Sequence, residues 1–127
     1  MITHSVWMWA AAALSFGTCA LHVFATKKDI VQPLLDADLH RVSKYTHYYC
    51  WHMVSVTLFA MGAAYSIAAV SPSAWELAAA ATVLSVAFAA WSLALVIWKQ
   101  QKPFELPQWV LFIAIATTAI LGFDFSV

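Results

Sequence analysis

Charged residues gather in 27–44 and 99–105, with Glu76 and Asp124 the only others, and long apolar intervals fill the rest of the chain. A helix that crosses a bilayer needs roughly 20 consecutive, mostly apolar residues. The pattern predicts four such spans, at about 5–25, 45–70, 74–98 and 108–127. Asp124 belongs at the far end of the fourth, in headgroups or water. Between the first two spans, "QPLLDADLHRVSK" sets Leu34, Leu35, Leu39 and Val42 at helical spacing among Asp36, Asp38 and Arg41. Pro33 suits a first helical position. A short amphipathic helix over 33–43, lying on the membrane surface, is the expected element. The expected fold is all-α: one transmembrane domain over 1–127, an integral membrane four-helix bundle with a short amphipathic interfacial helix between spans one and two.

Composition strengthens this reading. The chain is 64% hydrophobic and 9% charged, against about half and a quarter in soluble domains. A soluble fold of this length has nowhere to place so much apolar surface; the lipid bilayer is the expected solvent. The start, "MITHSVWMWAAAALSFG", lacks the positive segment of a secretory signal and is expected to be a membrane helix. Net charge is zero and no basic patch is interleaved with aromatics, so no nucleic-acid partner is expected.

All six Lys and Arg residues fall in the two charged loops: Lys27, Lys28, Arg41 and Lys44 in one, Lys99 and Lys102 in the other. The positive-inside rule places both loops in the cytoplasm and both termini outside, in an inner (cell) membrane of bacterial type. Tryptophans at both expected interfaces agree, Trp7, Trp9 and Trp75 outside, Trp51, Trp98 and Trp109 inside; Trp91 alone falls between the belts.

Small and polar residues form seams along three spans. They are Ala11, Ser15, Thr18, His22 and Ala25 in the first, Tyr48, His52, Ser55, Phe59, Gly62 and Ser66 in the second, and Ala78, Thr82, Ser85, Ala89 and Ser92 in the third. Close packing of small residues drives helix association in lipid, which accounts for the seams but not for the histidine on two of them. An ionisable residue inside a span marks a functional site by default.

Four histidines, His22, His40, His47 and His52, map to the cytoplasmic half; His4, alone at the other end, is expected as an exposed terminal residue. The cysteines are too few for a disulfide framework and sit in apolar surroundings. Two ligand geometries compete. If the first hairpin folds about residues 34 and 35, Cys19 comes level with Cys50 and His22 with His47, a compact set suited to zinc or copper. Alternatively His22 and His52 project from their seams into the bundle centre, as axial histidines of haem iron do. His47 and His52 point about 140° apart around one helix, so both do not face His22. The seam pattern favours the second geometry, with Tyr48 and Ser55 as supporting hydrogen-bond partners.

No phosphate loop, nucleophile elbow, H-E-x-x-H or C-x-x-C occurs, and no catalytic residue is assigned. The leading expectation is a protein that binds a transition metal (copper, zinc or iron) or haem on the cytoplasmic side, in metal handling or redox chemistry. So thin a bundle is expected to be a homo-oligomer or a subunit of a membrane complex. A non-catalytic assembly subunit and a small oligomeric transporter or channel are the alternatives.

Overall fold

The computed structural model describes residues 2–123. These residues are helical throughout apart from short turns, and no strand occurs among them. Helix α1 (Ile2–Ala20) does not stop at Ala25 as expected. It runs on through two wide π-type segments, Leu21–Ala25 and Lys27–Val31, into the short α2 (Gln32–Asp36). Lys27, Lys28 and Asp29 mark a surface, but charged residues of this kind do not break a helix.

The expected amphipathic helix over 33–43 is replaced by two pieces. The chain leaves the helix at Ala37, which is extended (φ −64°, ψ 144°), and α3 (Arg41–Val70) begins only four residues later. The Lys44 ammonium donates to the Leu35 carbonyl at 2.8 Å, satisfying one of the free carbonyls at the end of α2.

α3 has 30 residues and is about 45 Å long. It ends where Pro72 forbids continuation; Ser71 is extended, as a residue before proline prefers. A single 3-10 turn, Pro72–Ala74, leads into α4 (Trp75–Trp98). α4 closes with Gln100 in the left-handed region (φ 49°). Gln101 N–H donates to Val96 O and Gln100 N–H to Ile97 O, the Schellman pairing, with glutamine where glycine is usual. A loop then reaches α5 (Gln108–Gly122).

Three helical stretches, His4–Ala25, Arg41–Val70 and Pro72–Trp98, are long and apolar enough to cross a membrane. α5 is apolar but has 15 residues, about 22 Å of helix. The rest of the expected fourth span, with Asp124, lies outside the described residues.

α1 packs on α3 and α5, and α4 packs on the same two helices. Alanines let the backbones approach: Ala11, Ala12, Ala68, Ala78, Ala81, Ala89, Ala116 and Ala119 are all buried. Larger side chains, Met8, Leu58, Met61, Tyr65 and Ile115, fill the space that remains. Gly62 lets α3 approach the Phe16 ring, since a Cβ there would lie 2.7 Å from it and the ring would have to shift. The α4 seam is buried from Ala78 to Ala89, as the spacing predicts. The α3 seam is only partly the expected one: Ser55 and Gly62 keep their places. The inward line runs Trp51, Ser55, Leu58, Gly62, Tyr65 and Ala69, while His52 and Phe59 are exposed. Large residues took the interior positions that the small-residue pattern had assigned one place further along.

Candidate functional site

The extended α1 arm moves the turn of the first hairpin to Ala37–His40 and shifts its register by about one helical turn. Cys19 therefore lies level with Ser55, donating from Sγ to its carbonyl at 3.4 Å, rather than with Cys50. His22 lies level with Trp51 rather than His47, with Nε2 3.0 Å from the Trp51 carbonyl. Cys50 is exposed. His47 is exposed too, and its Nδ1 turns back to Ser43 O in its own helix at 2.7 Å. The compact set of Cys19, His22, His47 and Cys50 is not brought together.

Trp51 organises what does assemble. The His22 ring stacks on its indole, centroids 4.8 Å apart and planes 26° from parallel. The His52 ring stands at 83° to the same indole, 4.9 Å away. Tyr48 lies against both, 4.6 Å from His52 and 6.3 Å from Trp51. His52 thus reaches the cluster from the exposed side of α3, not from the centre of the helices.

Hydrogen bonds tie the cluster to the first wide segment. Trp51 Nε1–H donates to Thr26 Oγ1 at 3.2 Å, and the Thr26 hydroxyl donates to the His22 carbonyl. The Trp51 carbonyl accepts from His22 Nε2 and, at 3.3 Å, from Ser55 Oγ. His22 and Trp51 are joined in this way by two routes, one through the imidazole and one through Thr26. The π turns sit at this point; such wide turns persist where side-chain contacts hold them, frequently at functional sites.

No known protein family, curated protein or solved structure matches the chain. The assignment of a role therefore rests on the chemistry of the cluster. No three His, Cys, Asp or Glu residues among those described are close enough together to hold a metal ion. Two imidazoles on one indole are what the fold supplies; Tyr48 meets the His52 ring edge-on and Ser55 Oγ donates to the Trp51 carbonyl, so neither hydrogen-bonds an imidazole among the described residues.

Sequence reasoning missed Thr26 and the central place of Trp51, which it treated as an interfacial anchor. The 4-3-4-3-4 line from Trp51 to Ala69 was the signal that could have found it. It also misjudged His4. That side chain is half-buried, with Nδ1 2.6 Å from Gly122 O and Nε2 3.3 Å from Ala68 O. Beside it, Ser5 Oγ donates to Ala69 O at 3.0 Å. The start of α1 thereby binds the carboxyl ends of α3 and α5, where free carbonyls need donors.

Proposed function

We propose that this chain is a multi-pass membrane protein, an antiparallel four-helix bundle, that binds a transition metal or haem through His22 and His52 for metal handling or redox chemistry. Membrane insertion is supported by the outward apolar side chains of α3 and α4, among them Val56, Phe59, Val83, Trp91 and Ile97. All six Lys and Arg residues follow α1, open α3 or follow α4. By the positive-inside rule that end is cytoplasmic and both termini are outside, in the inner membrane.

The observation that carries the binding reading is the pair of imidazoles, from α3 and the α1 arm, packed within 5 Å of one tryptophan. A neutral imidazole offers a lone pair to a metal. Two are fewer than a closed zinc cage needs; histidine is also an axial ligand of haem iron, and an open metal site is completed by water. Tyr48 holds the His52 ring from the side. Purification in mild detergent from metal- and haem-replete cells, followed by a visible spectrum and metal analysis, tests this. The expected result is a Soret band or stoichiometric metal, lost in both His22→Ala and His52→Ala. A colourless, metal-free wild type would overturn it.

A second reading, a non-catalytic assembly subunit, is favoured by one observation. Cys19 and His22 both donate to α3 carbonyls, as interhelical staples do. It predicts that the same variants lose stability and leave spectrum and metal content unchanged, while the purified wild type runs in a stable complex with other membrane proteins.

A further inference from the structure

We infer that α1 pairs with α1 of a second copy of this chain, at an open groove between α1 and α5. The inference rests on the membrane reading above and is independent of what His22 and His52 bind. Besides its buried positions, α1 carries a line of small residues, Ala10, Ala13, Gly17 and Ala20, at spacings of 3, 4 and 3. Ala10 is half-buried and the other three are exposed. The small seam of α4 has the same rhythm but is buried among the helices. On α1 the line faces outward.

Gly17 has no use within one chain. A Cβ there would meet nothing within 4 Å, and its φ is not positive, so neither packing nor backbone conformation calls for glycine. Glycine weakens a helix relative to alanine. What it supplies is a flat place on which another backbone can lie close. Ala13 stands four residues earlier, the small-xxx-small spacing of helix pairs in membranes. Lipid tails are as apolar as leucine and make no such demand.

Thr18 adds a polar group at the same place. Together with Ala10, Ala13 and Gly17 it lines the α1 side of a groove of about 680 Å³, with Leu111 on the α5 side. The groove extends from Trp7 to Leu21, about 21 Å of helix. Ser15, Thr57, Ser66, Thr82 and Thr118 each donate to the carbonyl four residues back. Thr18 does not: only 7% exposed, it has a hydroxyl without a hydrogen-bond partner among the described residues. Nor is that hydroxyl sealed inside the protein, as the unpartnered one of Ser85 is, so it opens on the groove. An unpaired donor facing hydrocarbon is costly, and a carbonyl of an incoming helix relieves it.

Symmetry selects the occupant. Copies inserted alike present the same face at the same depth, so a two-fold axis along the membrane normal brings Gly17 to Gly17. A helix that enters so shallow a groove must itself be flat there, and α1 is. Each α1 fills the groove of the other copy, and each Thr18 hydroxyl donates to a carbonyl of the other α1.

Cross-linking of the full-length protein in native membranes tests this, in a background of Cys19→Ser and Cys50→Ser. Ala13→Cys should give a disulfide-linked dimer on mild oxidation, and Val83→Cys, on the outward side of α4, should not. Adding Gly17→Leu should abolish the Ala13→Cys cross-link and leave the helical circular dichroism unchanged, because the new side chain meets nothing in its own chain. A chain that stays in the membrane but gives no Ala13→Cys dimer overturns the inference. So does a dimer indifferent to Gly17→Leu. A lipid-soluble small molecule retained by a monomer, and displaced by Gly17→Leu, also overturns it, since the groove then has another occupant. Release of the protein by alkaline carbonate overturns the membrane reading together with the inference.

Discussion

His4 and His22 stand near opposite ends of the same apolar helix and its continuation, and both reach backbone carbonyls of another helix. They differ in what they leave over. Both nitrogens of His4 lie against carbonyls, of Gly122 and Ala68, so nothing of the ring remains for a ligand. His22 uses one nitrogen and keeps the other. The surroundings differ in the same sense. Around His4 the helices touch: a Cβ on Gly122 would lie 2.7 Å from Met8 Cε and 2.9 Å from Trp7 Cβ. Around His22 the backbone widens into π turns with no buried residue in the first of them. One end is closed packing, and the other keeps chemistry available.

That contrast can be broken most severely at Gly122. Gly122→Leu should push α5 from α1 and cost about 3 kcal/mol through overpacking, read as unfolding in mixed micelles by far-UV circular dichroism. His4→Ala should come next, at about 2 kcal/mol, because it removes a half-buried ring packed between two helix-end carbonyls together with the N–H it donates. His22→Ala should cost about 1 kcal/mol, the ordinary scale of an interhelical hydrogen bond in a membrane. Were His22→Ala the more damaging of the two histidine changes, the roles of the ends would be reversed. His52→Ala should be the mildest, under about 0.5 kcal/mol, since the side chain is exposed. Under the proposed function its effect belongs to ligand binding, and a large loss of stability would make it a packing residue instead.

Much of the helical layout was legible because charge and apolar length are strong signals. The α4 seam was legible for the same reason, as alanine, threonine and serine there recur without a competing large residue. The α3 seam was not: Trp51, Leu58 and Tyr65 compete with Tyr48, His52 and Phe59 for the interior, and only the neighbouring helices decide between them. The register of the first hairpin depended on where α1 ends. Lys27 and Lys28 signal the surface whether or not the helix continues beneath them, so the extra turns up to Asp36 could not be read. That error alone misplaced the partners of Cys19 and His22. His4 was passed over because its partners are remote in sequence and carry no side-chain signature: they are two carbonyl groups.

The separation of His4 from Gly122, 118 positions, has a consequence for biogenesis. Synthesis delivers the amino terminus first, and the α3–α4 hairpin, joined by the short turn Pro72–Ala74, can close long before α5 exists. His4 can meet Gly122 only when α5 has been made. The contact therefore marks the docking of α5, distinguishing chains that carry α5 from chains whose α1 still has an uncovered face. Pulse-labelled chains ending at Pro107 should be cleared faster than chains that retain α5 and carry His4→Ala; equal lifetimes would show that this mark is not read.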